Sequence, residues 1–381
     1  MPLLLRQKTA GKDRADGEGT MSRLFRTAAA VLTAFILGVS FLPPAEAITE
    51  SQKEIFDEAA ASVGAAIVYN QTDDVVLYTK NGDKQIRVAS ITKVLNACTA
   101  SQFFEADDEI TVGDELSMVY WNASVAPVKY GERYTFEQLL HAMLLPSGCD
   151  AAYVLAAAAG RKAAGDDSLS ASDAVSIFVG EMNKFLESLG CTDSYFVNPD
   201  GQDEGDQHTT CLDYIKVLRY AVEHPLISTV ICKAGYECLD LDGGYHYFST
   251  TNGMVAQDSS FYYPGAKGIK TGTTDLAGCC LAVAAERDGK TMISLLVNAD
   301  SIYARYAVTT ELLNAAFSCR MMGDVDYDSR VTPADARLAL RLSVGLESEE
   351  DYEPEFADMD GDTTVSADDA RTILRLAVGL E

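Results

Sequence analysis

Positive charge is scarce in this sequence. Its 381 residues include 30 Lys and Arg against 57 Asp and Glu, which gives a formal net charge of −27. Binding to a phosphate backbone or to an anionic lipid surface needs a basic face. The charge balance therefore argues against a nucleic-acid partner and against an electrostatic grip on a membrane.

Long apolar runs are also rare, and the clearest one lies near the N-terminus. An apolar run over 27–42 follows a short basic stretch, and it ends at the helix-breaking Pro43 before the A-x-A sequence Ala45–Ala47. A membrane anchor or a buried helix is the alternative, but the run is short for a bilayer span. We interpret 21–47 as a cleaved signal peptide and 1–20 as an upstream extension outside the mature protein.

No later stretch is apolar enough to cross a bilayer. The mature protein is therefore expected to have no membrane span. We expect it to be secreted, and extracellular or associated with the cell wall.

Cysteine and histidine patterns that bind metals are missing. The nine Cys form no CxxC pair, and the four His form no HExxH sequence. We therefore expect no metal in the catalytic chemistry. An odd number of Cys leaves at least one unpaired, and a domain of this size does not need disulfides, so the pairing stays open.

The apolar periodicity predicts an α/β fold. Residues 64–79 alternate like a hairpin, and helical patterns dominate from 90 to 223. Strand-like patterns then return before a closing helix over 302–317; they cover 266–272, 276–286 and 291–298. Strands at both ends with helices between them indicate an antiparallel sheet with an inserted helical lobe, over 48–320.

Three short motifs carry the chemistry. Ser90 and Lys93 stand three apart at the start of the first predicted helix, so the amine can reach the hydroxyl and activate it. Ser147-Gly148-Cys149 lies between two predicted helices, and Lys270-Thr271-Gly272 lies on a strand-like segment. Each motif is weak alone, because S-x-x-K occurs by chance and Pro-Ser-Gly is an ordinary turn.

In this order, the three motifs resemble the S-x-x-K, S-x-N and K-T-G set of penicillin-binding proteins and serine β-lactamases. The stretches RVASITKV, LLPSGCDAA, FVNPDG and GIKTGTT look like the low-molecular-weight D-alanyl-D-alanine carboxypeptidases, and the likeness runs from about residue 50 to 318. It implies a β-lactamase/transpeptidase-like fold. It also implies the D-Ala-D-Ala end of peptidoglycan stem peptides as substrate, and β-lactams as covalent inhibitors.

The resemblance assigns roles to matching residues. Ser90 would attack the carbonyl between the two D-alanines, Lys93 would be the general base, and Ser147 would relay a proton to the leaving amine. The backbone amides of Ser90 and Thr273 would form the oxyanion hole. Lys270 and Thr271 would hold the terminal carboxylate. The implied substrate-binding set is Cys149, Lys270, Thr271, Gly272 and Thr273.

Two features of the sequence bear on which related activity this chain has. Cys149 stands where the family usually has Asn, and a thiol hydrogen-bonds weakly, so a DD-transpeptidase or an esterase on the same scaffold stays open. No E-x-x-L-N sequence, which carries the deacylating carboxylate of class A β-lactamases, lies between Ser147 and Lys270. Penicillin is therefore expected to acylate Ser90 and to stay bound.

The segment 321–381 is acidic and duplicated. It holds 16 acidic and 5 basic residues, and DVDYDSRVTPADARLALRLSVGLE at Asp324 is repeated from Asp358 as DMDGDTTVSADDARTILRLAVGLE, 34 residues later. Acidic side chains at loop positions 1, 3, 5 and 12, with a backbone carbonyl at position 7, predict a calcium loop followed by a helix. The predicted ligands are Asp324, Asp326, Asp328, Arg330 and Asp335, then Asp358, Asp360, Asp362, Thr364 and Asp369.

The repeat pair looks like a dockerin, a small all-α module with two calcium loop–helix repeats that plugs into a cohesin domain of a scaffold protein. The resemblance implies structural Ca²⁺ and attachment through that partner. A non-catalytic surface protein whose main task is cohesin docking is the alternative from another functional class.

Overall fold

The computed structural model describes residues 48–328, 330–348 and 352–380. The predicted signal peptide (21–47) and the upstream extension (1–20) lie outside the described residues.

Nine strands and ten helices run through the described residues. The strands are β1 (Ala65–Asn70), β2 (Val75–Lys80), β3 (Glu109–Thr111), β4 (Arg133–Thr135), β5 (Gly235–Leu239), β6 (Tyr245–Ser249), β7 (Ala266–Thr274), β8 (Gly278–Arg287) and β9 (Lys290–Ala299). The helices are α1 (Glu50–Ala59), α2 (Thr92–Ala100), α3 (Phe136–Leu144), α4 (Cys149–Ala164), α5 (Ala171–Ser188), α6 (Cys211–Glu223), α7 (Pro225–Ile231), α8 (Ile302–Ser318), α9 (Pro333–Ser343) and α10 (Ala367–Ala377).

The central sheet is antiparallel and has the order β2-β1-β9-β8-β7. The N-terminal hairpin joins the C-terminal strands where β1 pairs with β9, with Ile67 opposite Leu295. The chain leaves this sheet after β2 and returns at β7, and the intervening residues form the helical lobe. The predicted antiparallel sheet with helices is thereby confirmed.

Local sequence explains how this sheet is built. Asp288 and Gly289 join β8 to β9 with φ angles of 51° and 79°. A two-residue turn of this hand matches the twist of the strands, and Asp-Gly is a preferred sequence for it. The tight connection between β8 and β9 is therefore explained by these two residues.

Helices cover both faces of the sheet. On one face, α1 and α8 pack against it through a core that includes Phe56, Leu281, Leu296 and Leu313. On the other face, α6 contacts β1 and β9. The sheet is thus buried on both sides, and the helical lobe reaches it from the side of α6.

Several short elements have no clear periodicity. The sheets β3-β4 and β5-β6 have two strands each, and α7 has seven residues. Patterns of period 2 or 3.6 need more residues than these to be distinguished from loops.

The helix expected to begin at Ser90 begins at Thr92, because Ala89–Ile91 forms a 3-10 turn.

The duplicated segment has a small core of its own. Each loop is followed by a helix, α9 or α10, and the two helices pack together around Ala339, Leu342 and Ile373. Thr332 and Ser366 cap these helices, each in a capping box with the aspartate three residues later.

No helix in the described part of the chain combines the length and the apolar character needed to cross a bilayer.

A buried histidine makes the fold sensitive to acid. His141 is 0 % exposed, stacks on Tyr236 with ring centroids 3.6 Å apart, and hydrogen-bonds to the Glu137 carbonyl through Nδ1. Burial lowers the pKa of His141 to about 4. The unfolded chain therefore takes up a proton at a higher pH than the folded one does. This contribution to stability is present above pH about 6.5 and is lost as the pH falls towards 4.

We expect His141→Phe, which keeps an aromatic ring on Tyr236, to remove this pH dependence. Denaturant unfolding at pH 7.5 and at pH 5 should show the wild type losing about 2 kcal/mol more than the variant over that interval. Equal losses in the two proteins would contradict the assignment.

Candidate active site

Ser90 is presented on the 3-10 turn directly before α2. Lys93, in the first turn of α2, is fully buried, and its Nζ lies 3.0 Å from the Ser90 Oγ. The same Nζ donates to the Asp200 carbonyl at 2.7 Å. The serine–lysine contact expected from the sequence is therefore formed, and the amine's partners are a hydroxyl and a carbonyl.

The turn that carries Ser90 is tightly held. Ala89 has a φ of 50°, which is uncommon for a residue with a side chain. The Tyr214 hydroxyl donates to the Ile91 carbonyl at 2.8 Å, and Asn96 Nδ2 donates to the carbonyls of Ala152 and Pro199. These contacts join the nucleophile turn and α2 to α4, α6 and the FVNPDG loop.

Glycine lets two backbones approach this turn. A Cβ at Gly272 would lie 2.7 Å from the Val88 carbonyl oxygen and 3.1 Å from the Ser90 nitrogen. A Cβ at Gly201 would lie 1.9 Å from the Ala89 carbonyl oxygen. Strand β7 and the FVNPDG loop can therefore pack against Ser90 only with glycine at these positions.

Lys270 lies on β7, an edge strand of the sheet, and is 1 % exposed. Its Nζ donates to the Thr271 carbonyl at 3.1 Å and to the Thr251 hydroxyl at 3.4 Å. Burial, together with the nearby charge of Lys93, holds the pKa of Lys270 well below its usual range. The two lysines, 177 positions apart in sequence, therefore share one site.

Ser147 lies in the turn directly before α4. It is buried with a φ of 66°, and its carbonyl accepts a hydrogen bond of 2.7 Å from the Ser124 hydroxyl. Within the described residues, the Ser147 hydroxyl makes no hydrogen bond to Ser90 or Lys93. Catalytic hydrogen bonds often tighten only when substrate binds, so this geometry does not conflict with the implied relay.

Cys149 is the first residue of α4 and is 1 % exposed. Burial raises the pKa of its thiol, while the charge of Lys93 opposes that shift and Asp200 adds to it. A protonated thiol between the lysines and Asp200 is a poor nucleophile and a weak hydrogen-bonding group.

Asp150 fixes the backbone beside Ser147 and Cys149. Its buried carboxylate accepts hydrogen bonds from the backbone of Ala126 and Val128, at 2.8 to 3.1 Å. This ties the loop before β4 to the start of α4, next to Ser147.

Three residues of the site were not predicted from the sequence. Arg305, on α8, donates from Nη1 towards the Gly272 carbonyl and the Thr273 hydroxyl at 3.4 and 3.3 Å. Its Nε is buried without a hydrogen-bond partner among the described residues, so an incoming anion could satisfy it. Thr251 hydrogen-bonds to the Thr271 hydroxyl at 2.6 Å, and Asp200 holds Lys93. Of these three, only Asp200 could have been identified from the sequence, since it lies in the FVNPDG stretch.

The predicted calcium ligands are brought together in part. In each repeat, three carboxylates lie within 4.8 Å of one another: Asp324, Asp326 and Asp335 in the first, and Asp358, Asp360 and Asp369 in the second. Asp328 and Asp362 are outside these groups and accept hydrogen bonds from the backbone of Arg330 and Thr364, respectively. Burial and the neighbouring Asp335 charge raise the pKa of Asp326, as expected where like charges meet.

Carboxylate oxygens at this spacing fit a hard divalent cation. The position-12 aspartates, Asp335 and Asp369, also accept hydrogen bonds from the loop backbone near the first ligand, which folds each loop around its carboxylates.

Comparison with known proteins agrees with the site. The sequence profile of the family described as D-alanyl-D-alanine carboxypeptidase matches residues 49–301. The D-alanyl-D-alanine carboxypeptidase of Streptomyces sp. strain K15 is 32% identical over 308 residues, which cover 78% of this chain and 99% of the relative. D-alanyl-D-alanine carboxypeptidase DacF of Bacillus subtilis strain 168 is 25% identical, over 76% of this chain and 71% of its own length.

Solved structures give the same result. The crystal structure of the Streptomyces K15 DD-transpeptidase superposes with a TM-score of 0.61 at 30% identity, over 68% of this chain and 97% of that one. Residues 321–381 lie beyond the matched family region. This chain belongs to the D-alanyl-D-alanine carboxypeptidase family and is a serine peptidase of that family.

Proposed function

We propose that this protein removes the terminal D-alanine from peptidoglycan stem peptides through an acyl-enzyme on Ser90, and that β-lactams block it. The observation that supports this proposal most directly is the 3.0 Å contact between Lys93 Nζ and Ser90 Oγ, in a site that also contains Lys270 and Arg305. Because 21–47 reads as a signal peptide, we place this activity outside the cytoplasm, where peptidoglycan is found.

Acylation begins when Lys93 takes the proton of the Ser90 hydroxyl. The Ser90 oxygen then attacks the carbonyl carbon between the two D-alanines. Charge develops on the carbonyl oxygen, where the backbone N–H groups of Ser90 and Thr273 would stabilise it. Lys93 Nζ is placed for this step by its contacts with the Ser90 hydroxyl and the Asp200 carbonyl.

Collapse of this adduct releases D-alanine and leaves the acyl-enzyme, which is hydrolysed in the second half of the reaction. The leaving amine takes a proton by way of Ser147, the C–N bond breaks, and water later hydrolyses the ester on Ser90. Lys270 and Thr271 would bind the terminal carboxylate. Arg305 supplies a second cation, whose Nε–H has no hydrogen-bond partner among the described residues. A substrate that carries this carboxylate would thus compensate for the buried positive charge.

We expect a fluorescent penicillin to label the wild type covalently and Ser90→Ala not at all. Penicillin resembles the acyl-D-Ala-D-Ala bond, and without the Ser90 oxygen no ester can form. Labelling is read on a denaturing gel, and Ser188→Ala, at an exposed serine on α5, is the matched control. Labelling of Ser90→Ala, or rapid turnover of a chromogenic β-lactam by the wild type, would contradict this assignment.

A DD-transpeptidase is the second candidate, and Cys149 favours it. Asn at this position could bind and orient a water with its amide, whereas a buried thiol offers little to a water. The 30% identical Streptomyces K15 structure is of a DD-transpeptidase. The same residues can pass the acyl group from Ser90 to an amine or to water.

Partitioning of the acyl-enzyme tests this candidate. With diacetyl-Lys-D-Ala-D-Ala and glycine, we expect the wild type to form exchanged product, and Cys149→Asn to shift the ratio of exchange to hydrolysis at least about threefold towards hydrolysis. Both products are quantified by chromatography, with Cys232→Asn at an exposed cysteine as control. An unchanged ratio in Cys149→Asn would exclude a role for the thiol in acceptor choice.

We further propose that 321–381 is a dockerin that binds two calcium ions and a cohesin domain. The in-register repeat and the two carboxylate groups support this proposal. Calcium would supply positive charge that draws each loop around its aspartates, and the first and second repeats would each hold one ion. The non-catalytic docking alternative is not retained, because the chain belongs to an enzyme family and keeps the serine–lysine pair.

Asp369→Asn should lower calcium stoichiometry from about two to about one ion per chain, because Asp369 is the position-12 carboxylate ligand of the second loop. Isothermal titration calorimetry on the calcium-stripped full chain measures this number. The control is Asp368→Asn, at an adjacent exposed aspartate outside the carboxylate group. A wild type that binds no calcium would refute the proposal.

A further inference from the structure

A mixed group of histidine and carboxylate side chains lies on elements that carry none of the catalytic motifs. Glu132 stands directly before β4, Asp240 directly follows β5, and His246 lies on β6. One possible ligand atom from each of these side chains lies within 4.8 Å of the other two. Because Glu132 is 108 positions before Asp240, no local spacing in the sequence predicts this group.

Two oxygens face the same nitrogen of His246. Its Nε2 lies 2.8 Å from Asp240 Oδ2 and 3.0 Å from the Tyr134 hydroxyl oxygen, and that hydroxyl donates to Glu132 Oε2 at 2.6 Å. A single proton on Nε2 can point at only one of its two neighbours. A cation, by contrast, would bind the Nε2 lone pair and both carboxylates at once.

Both carboxylates are already oriented by other groups. Asp240 Oδ1 accepts hydrogen bonds from the backbone nitrogens of Asp242 and Gly244 at 2.9 and 2.8 Å, which leaves Oδ2 directed into the group. A Cβ at Gly244 would lie 2.4 Å from that Oδ2, so glycine keeps the space beside it free. The Tyr134 hydroxyl orients Glu132 in the same way. Carboxylates that bind metals are typically held by such hydrogen bonds.

The group brings negative charges together with little compensation. The side chains of Asp240, His246 and Glu132 are 2%, 10% and 19% exposed. Apart from His246, the only cationic side chain that forms an ion pair with either carboxylate in the described part of the chain is Lys129, which is 76% exposed and 3.6 Å from Glu132 Oε1. Neighbouring carboxylates that have lost hydration repel each other. A bound divalent cation would neutralise them.

We propose that Glu132, Asp240 and His246 bind one Zn²⁺ ion. An imidazole nitrogen together with carboxylate oxygens suits Zn²⁺, whereas Ca²⁺ and Mg²⁺ take oxygen ligands. Ligand distances of about 2.1 Å would place Nε2 and Oδ2 about 3.4 Å apart, which is a small widening of the present 2.8 Å. Glu132 is the most exposed of the three, and water would complete the tetrahedron on its side.

The ion would join β4 to the β5-β6 hairpin. The Leu241 nitrogen already donates to the Arg133 carbonyl at 2.9 Å, and Arg133 Nη2 pairs with Asp242 at the same distance. The ligands are therefore held close together before the metal binds, and little further ordering is needed. The chain continues from β6 to Thr251, whose hydroxyl contacts Thr271. Zinc would thus support the segment that leads into the active site without taking part in the serine–lysine chemistry.

Isothermal titration calorimetry with Zn²⁺ tests this site on the full chain, with excess Ca²⁺ present so that the aspartate loops of 321–381 do not compete. We expect about one Zn²⁺ per wild-type chain. Loss of an outer-shell partner commonly costs about 10–100-fold in metal affinity, so Glu132→Gln and Asp240→Asn should each weaken binding at least about a hundredfold. The matched control is His208→Gln, at a partly exposed histidine outside the group, which should bind like the wild type.

Co²⁺ gives an independent readout, because its absorption spectrum reports the type of ligand. The nine free cysteines are the main competing ligands. Co²⁺ in the proposed site should show weak visible bands without the strong near-ultraviolet band of a thiolate ligand, and Asp240→Asn should lose them. Circular dichroism checks that each variant is folded, and Glu132→Gln, at the most exposed ligand, decides the matter if Asp240→Asn is not. A wild type that binds no Zn²⁺, an unchanged affinity in Glu132→Gln, or a thiolate band would overturn the proposal.

Discussion

The contact on which the site depends is that of a buried amine, Lys93 Nζ, held 3.0 Å from the Ser90 hydroxyl. A serine hydroxyl is a weak nucleophile until a neighbouring base takes its proton, so this distance decides whether the chemistry can begin. The protein supplies the Asp200 carbonyl, which orients the amine without a full negative charge. Much of the surrounding architecture keeps this pair in place.

That arrangement works against stability. Lys93, Lys270 and Arg305 are all buried, and in the described part of the chain their hydrogen-bond partners are hydroxyl and carbonyl oxygens. Like charges in a buried volume repel one another, and each has lost its hydration. A bound carboxylate would relieve both costs. Residues that look poorly satisfied in the free protein therefore mark where the substrate is expected to bind.

Packing of the surroundings compensates for this local cost. The Ser90 turn keeps Ala89 in a left-handed conformation, and Gly201 and Gly272 let two other segments contact it. The sheet beneath is covered on both faces, and its edge strand β7 packs against the Ser90 turn and α7. A strained backbone persists only where its neighbours fix it from several sides.

Local pattern was sufficient for much of the chain. The Asp288-Gly289 turn, the strands around it and the helices α3 to α6 follow from period and turn chemistry, because those signals depend on neighbouring residues alone. The residues Ser90, Lys93, Ser147 and Lys270 could be named because they sit in short motifs. The roles implied for them, the calcium ligands and the boundary near residue 320 stay predictions.

The three motifs, their order and their flanking residues are enough to identify the family, because such a combination is specific even when the motifs lie far apart along the chain. Which further groups join them depends on how the chain folds. Thr251 and Arg305 belong to segments with no motif, and they enter the site because strand pairing and helix packing bring residues far apart in sequence together. Such long-range contacts are set by the whole fold, and no local pattern encodes them.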